Sequence, residues 1–420
     1  MIGPNADLPA DHSPLRTTRW PAGLRALRHR DFRWFWITLL ISVSGTWMQT
    51  VTQGWLVYDL TKSALYLGIV GACGSLPMLL FTLPAGVIAD RFPKHRIVML
   101  TQTLAAIQAF LLAALVHYGA VRVWQVMLLA AALGVVNAFD MPPRQAMVVE
   151  LVGRDDLFNA ISLNSTAFNS GRSIGPALAG MLVVATNMEI CFFINGLSFL
   201  PLIVVLAFIR PRRTSSATTG TFTRQIGEGL AWVRGNRVAF ALLAFTAVSG
   251  VFAMPYASLL PIFADKVLHA GVRGYGFLQS SAGVGAFVAA VGMAFVGHRL
   301  RLGGAVTAGT FIFPIALLLF AAAPQYAIAV VCLFLVGVGM MSFNMVSNTI
   351  LQKSPPDELR GRVMSLRAFV FVGLAPLGNL QIGAMGQWFG PQLAVAAGAS
   401  VSLLCALIAW WQAPEILRAE

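Results

Sequence analysis

The stretch GVIADRFPKHR, Gly86–Arg96, separates two apolar runs near 65–89 and 97–117. Each run is about the 20 residues that an α-helix needs to cross the hydrocarbon core of a bilayer. Asp90, Arg91, Lys94 and Arg96 crowd the break between them. Charges this dense are costly in lipid, so the chain turns at the membrane surface here and returns as a second helix.

The same alternation of apolar run and short charged loop repeats outward from this point. Helices are predicted near 32–58, 65–89, 97–117, 123–147, 157–185 and 190–209, and again near 238–264, 274–297, 303–322, 325–350, 358–388 and 390–412. The expected fold is an all-α membrane protein with 12 transmembrane helices in two pseudo-symmetric six-helix bundles. Its parts are a cytoplasmic tail (1–31), an N-terminal bundle (32–209), a cytoplasmic linker (210–237), a C-terminal bundle (238–412) and a cytoplasmic tail (413–420). Within the linker, Ile226, Leu230, Trp232 and Val233 lie among Arg224, Glu228 and Arg234. That pattern predicts a short helix on the membrane surface, a plain polar linker being the alternative.

Composition supports the spans. Of 420 residues 57% are hydrophobic and 11% charged, with a mean hydropathy of +0.75. Soluble domains carry about 25% charged residues. The net charge of +13 raises the question of nucleic acid, but the basic residues sit in short loops, where they act as topology signals. With the N-terminus placed in the cytoplasm, 23 Lys and Arg fall on the cytoplasmic side and four (Lys62, Arg122, Lys266, Arg273) on the other. Both termini are therefore expected in the cytoplasm of a bacterial-type inner membrane, in a multi-pass monomer. About thirty polar residues precede the first apolar run, so no cleavable signal is expected. Cys73, Cys191, Cys332 and Cys405 lack ligand spacing and read as packing residues.

The two sets of helices echo each other. GRDDLFNAISL (Gly153–Leu163) follows helix four and PPDELRGRVMSL (Pro355–Leu366) follows helix ten. Each puts an acidic pair at the start of a helix, where the dipole favours it. Repetition at half the chain length is the pattern of two parallel halves.

Charges inside a span cost roughly 2.5–3.5 kcal/mol each and are functional candidates by default. Asp140 and Arg144 lie in helix four, Arg172 in helix five and Arg367 in helix eleven. Asp140 reads either as an ion-pair partner of Arg144 or Arg172, or as a protonatable coupling carboxylate. Trp47, Gln49 and Gln53 in helix one, Gln279 in helix eight, Asn344 and Asn348 in helix ten and Asn379 in helix eleven are candidates for a cavity lining. Amides with aromatics suit an amphipathic ligand, and interhelical hydrogen bonding is the alternative use of each. Gly171, Gly175, Pro176 and Gly180 form a small-residue face for close helix packing. No phosphate-binding loop, metal-ligand cluster or catalytic constellation is legible, so no enzyme, cofactor or metal is expected.

These residues carry a resemblance. GVIADRFPKHR is similar to the signature loop of the major facilitator superfamily, with Pro93 where a Gly is usual. RHRDFRWFW (Arg28–Trp36), GTWMQTVTQGWLVYDLTKSALYLG (Gly45–Gly68), FDMPPRQAMVVELV (Phe139–Val152) and DELRGRVMSL (Asp357–Leu366) resemble its drug- and siderophore-exporting branch, the transmembrane secretion effectors. The resemblance implies a proton-coupled exporter of an amphipathic small molecule (drug, macrolide or siderophore class). A small-metabolite importer and a non-transporting sensor are the alternatives. It further implies a cytoplasmic gate of Gly86, Asp90, Arg91, Arg96, Arg360 and Arg362. GRSIGPALAG (Gly171–Gly180) is similar to a motif associated with antiport in drug exporters.

Overall fold

The computed structural model describes residues 21–153, 155–209, 222–296 and 302–415. Six long helices come first: α1 (Arg30–Thr61), α2 (Ala64–Arg91), α3 (Lys94–His117), α4 (Val123–Val152), α5 (Leu157–Ala185) and α6 (Met188–Phe208). A short helix α7 (Phe222–Gly235) occupies the described part of the predicted linker. The second set is α8 (Arg237–Phe252) with the one-turn α9 (Leu260–Ile262), then α10 (Gly271–Val296), α11 (Leu302–Ala321), α12 (Tyr326–Lys353), α13 (Asp357–Gly373) with α14 (Ala375–Phe389), and α15 (Pro391–Gln412).

Two predicted helices are broken. The span predicted at 238–264 is α-helical only to Phe252. It then runs through a 3-10 turn (Met254–Leu259), α9 and a π turn (Phe263–Val267). The span predicted at 358–388 breaks at Leu374. Pro255, Pro261 and Pro376 lie in or next to these breaks, and proline removes one helical donor while its ring clashes with the preceding turn. In a membrane such breaks persist where neighbouring helices surround them.

Ten helical spans among the described residues are long and apolar enough to cross a bilayer. The remaining two long helices, α1 with 32 residues and α5 with 29, are long enough but more polar. Their polarity has a structural reason: α1 and α5 pack on each other, and α5 packs on α10 of the other half. A helix in that position faces protein and cavity more than lipid.

The helix pairing repeats between halves. In the first, α1 packs on α5 and α6, α2 on α4, and α3 on α4 and α6. In the second, α8 packs on α14 and α15, α10 on α12, and α11 on α12 and α15. Matching the spans in order, the five pairs correspond. Contacts between the halves obey the same symmetry: α2 meets α14, and α5 meets α10.

At the end where the chain begins, the 3-10 helix Ala22–Arg28 docks on the start of α5. Asp156, buried ahead of α5, meets Arg25 Nε at 3.0 Å, Arg28 Nη2 at 2.8 Å and His29 Nε2 at 2.8 Å. The Ala26 amide donates to Asn159 Oδ1 at 2.8 Å. Burial alone pushes the Asp156 carboxyl up. The hydrogen bond from His29 and the charges of Arg28 and Arg25 outweigh it and hold the group below the usual carboxylate range. A carboxyl lowered on folding contributes stability above its unfolded value of about 4, and that contribution is lost as pH falls through the lowered value. The Ala26 amide is therefore expected to stay protected from hydrogen exchange at both pH 7 and pH 5. Asp156→Asn is expected to speed its exchange at least about tenfold at either pH, the loss of a buried charge-assisted cluster.

Candidate functional site

A cavity of about 240 Å³ lies between the halves. Its wall is built from Gln53 and Gly54 of α1, Gly71 and Gly74 of α2, Asn137 of α4, Ser258 of the broken segment after α8, and Tyr275 and Gln279 of α10. The side chains are uncharged, and the side-chain oxygen Oε1 of Gln279 is buried without a hydrogen-bond partner among the described residues. A second cavity, about 290 Å³, continues within the first half, with Trp47, Gln102, Asp140, Arg144 and Phe168 in its wall. Thr50, Leu133 and Asn137 border both, so the two form one path along α1 and α4.

The first cavity is roofed by a glycine seam. A Cβ at Gly68 would stand 2.4 Å from the Asn379 carbonyl oxygen and 2.8 Å from Gly383 Cα. One at Gly276 would stand 2.5 Å from the Pro176 carbonyl oxygen and 2.8 Å from Gly180 Cα. Only glycine lets α2 and α14, and α5 and α10, approach this closely. Around the seam Tyr58 donates to Asp265 Oδ2 at 2.5 Å, Ser63 donates to Gln387 Oε1 at 2.8 Å, and Trp55 stacks on Tyr275. Among the described residues every hydrogen bond between the two sets of transmembrane helices lies from the middle of the molecule toward the α1–α2 turn.

The intramembrane charges divide into two kinds. Asp140 is fully engaged: Oδ1 accepts from Thr101 Oγ1 at 2.7 Å and Gln102 Nε2 at 3.0 Å, and Oδ2 meets Arg144 Nε at 3.2 Å. Arg144 also lies over the Phe168 ring, 5.0 Å from its centroid. Arg172 has no carboxylate in reach among the described residues. Its guanidinium stands 5.9 Å over the Trp47 ring, and Nη2 reaches Met340 Sδ at 4.0 Å. Arg367 Nη2 donates to the Asn344 carbonyl and side-chain oxygens, both at 3.2 Å, while its buried Nε has no partner.

The other candidates are placed as follows. Gln49 borders the first cavity, but its amide is held in a buried chain, donating to Gln108 Oε1 at 2.9 Å and accepting from Asn195 Nδ2 at 2.8 Å. Asn379 accepts from Ser258 at 2.9 Å at the cavity edge. Asn344 sits on the Arg367 side of α12, and Asn348, half-buried on that helix, lines neither cavity. Gly171 and Gly175 pack on α1 at Val43 and Ser44, while Gly180 and the Pro176 carbonyl meet α10. Gly86 has open space around it, and Arg91 and Arg96 are exposed. Arg360 pairs with Asp357 at 2.6 Å, and Arg362 pairs with Glu228 of α7. The Asp90 side chain, on which the gate expectation turns, lies outside the described residues, as do Arg154 and the linker positions 210–221.

Sequence reasoning missed Tyr275, Ser258, Asn137, Tyr58 and Asp265. Tyr275 and Ser258 carry no periodic signal, and Asp265 lies one residue beyond the span predicted at 238–264, in the π turn that extends it. Pro255 and Pro261 were the available hint that this segment is irregular, which is where side chains depart from helical spacing.

The comparisons with known proteins agree with this architecture. The chain is 25% identical over 366 residues to the staphyloferrin A transporter of Staphylococcus aureus, covering 85% of this chain and 90% of that one. It is 24% identical over 381 residues to the multidrug efflux pump Tap of Mycolicibacterium fortuitum, covering 88% and 92%. In structure it is similar to the nucleoside transporter NupG, with a TM-score of 0.72 over 91% of this chain and 98% of that one at 13% identity, a likeness of fold. The family of transmembrane secretion effectors is matched over residues 22–416, so this chain of two symmetric helical halves around a roofed, uncharged cavity belongs to the transmembrane secretion effectors, membrane transporters of the major facilitator fold.

Proposed function

We propose that this protein is a secondary active exporter of an amphipathic small molecule, driven by protons and working by alternating access. The observation that carries this reading is the one-sided seam. Two halves with matching helix pairing close over a shared cavity through glycine contacts toward the α1–α2 turn, where the hydrogen bonds between the halves among the described residues also gather, and two rigid bodies can make and break such contacts. With both termini in the cytoplasm, the orientation that the loop charges favour, the sealed end is external and the conformation faces inward. The uncharged amides, aliphatic side chains and Tyr275 ring of the cavity suit an amphiphile. The relation to an efflux pump favours outward movement.

In this conformation Arg360 and Arg362 are held by Asp357 and Glu228. Gate closure at the cytoplasmic end would bring the Gly86–Arg96 loop onto the start of α13, with Asp90 taking the helix N-terminus and these arginines. Asp140 is the coupling carboxylate in this reading, because protonation would release Arg144 and loosen the α3–α4 contact. The protein works as a monomer in a bacterial inner membrane.

The test is transport into inverted vesicles carrying an acidic interior, across a panel of a siderophore, a macrolide and a dye. Accumulation is expected to rise several-fold with the gradient and to collapse with a protonophore. Substrate that moves only down its own gradient would remove the coupling, and uptake by right-side-out vesicles would reverse the direction.

A further inference from the structure

We propose that Arg172, over the Trp47 wall of the second cavity, and Arg367 form an anion anchor beside the two cavities rather than in their lining, so that the transported amphiphile carries a carboxylate or similarly anionic head. The inference rests on the exporter reading above and narrows its substrate class. Both guanidinium groups lie within membrane spans, and among the described residues neither has a carboxylate in reach. The acid of the first half's path, Asp140, is already engaged by Thr101, Gln102 and Arg144.

The two groups also converge. Arg172 reaches α12 at Met340 and Arg367 reaches it at Asn344, one helical turn apart, roughly 6 Å along the axis. Arg172 comes from the first half and Arg367 from the second, so an anion held between them touches both moving bodies. Each has donor capacity to spare: among the described residues Arg172 is held by a ring face and a sulfur, and Arg367 Nε is buried and unpaired. Uncompensated guanidinium groups away from bulk water are costly, and a carboxylate offers the bidentate geometry they lack. Trp47 beneath Arg172 supplies an apolar face for the rest of the ligand.

The test uses three naphthyl amphiphiles that differ only in head group: carboxylate, primary amide and ammonium. Binding is measured by calorimetry on the full chain in nanodiscs of zwitterionic lipid, then with phosphatidylglycerol added, and transport is measured in the vesicles described above. The carboxylate is expected to bind at least about tenfold more tightly than the amide, the worth of one charge-assisted hydrogen-bonded pair. Arg172→Gln and Arg367→Gln should each remove most of that preference by weakening the carboxylate far more than the amide, and Arg172→Lys should keep part of it. Equal affinity for the carboxylate and amide in the wild type overturns the proposal, and this comparison stands even if a variant fails to fold. So does a variant that weakens all three alike, which marks a structural role. If phosphatidylglycerol abolishes the preference and co-purifies with wild type but not Arg172→Gln, the anion is a lipid and the proposal fails. Transport of the amide or ammonium without the carboxylate sinks the anion anchor alone. Movement of none of the three counts against the exporter reading itself.

Discussion

Valine at Gly68 is expected to drive this protein out of its sealed conformation. The new side chain would begin 2.4 Å from the Asn379 carbonyl oxygen and 2.8 Å from Gly383 Cα, and both obstacles are backbone that no rotamer change removes. Overpacking of this kind costs about 1–3 kcal/mol, which is roughly a 5- to 150-fold change in an equilibrium constant. The cost falls on the conformation in which α2 and α14 touch, so relief lies in parting them. The measurement is labelling of Gln53→Cys, in a chain whose own cysteines are replaced, by an impermeant thiol reagent from the α1–α2 side. Gly68→Val should raise the labelling rate about tenfold or more and slow transport. A drop in melting temperature with unchanged labelling would mean that the seam is permanent packing, and the alternating-access reading would lose its main support.

Asp140→Asn is expected to abolish gradient-driven accumulation, at least about tenfold, while the protein still inserts in the membrane. The structure adds a consequence, because the substitution leaves Arg144 beside a neutral amide in a nearly closed site, 13% exposed. Removing one partner of a buried ion pair costs about 3–5 kcal/mol, so the single variant should also melt well below wild type. Asp140→Asn with Arg144→Gln removes both charges and should recover most of the melting temperature. Driven accumulation should remain absent in that double variant if the carboxylate carries the proton. Its recovery would show that Asp140 serves only to hold α3 against α4.

Much of the architecture was legible in the chain because lipid imposes a local rule. A spanning helix must be about 20 residues long and apolar wherever it lies, so Lys94–His117 or Leu302–Ala321 can be read without knowing its neighbours. The breaks near Pro255 and Pro376 were less legible. Proline marks where a helix can fail, but many prolines stay inside helices here, Pro77, Pro142 and Pro176 among them. Whether one breaks depends on what surrounds it.

The candidate site was legible in its residue types and not in its pairings. Asp140, Arg172 and Arg367 stand out in the sequence because charge in a span is rare. Gln49 looks like Gln53 by spacing, yet its amide is spent on Gln108 and Asn195. Asp140 had two arginines as prospective partners and took the one a helical turn away on its own helix.

By itself, then, the sequence determined that this is a helical membrane protein in two halves, since hydropathy and loop charge act segment by segment. Only the tertiary structure decided that α2 meets α14 through glycines, and that Arg172 and Arg367 converge on one face of α12. Those facts depend on helix crossing and rotation, which arise from packing between residues far apart in the chain.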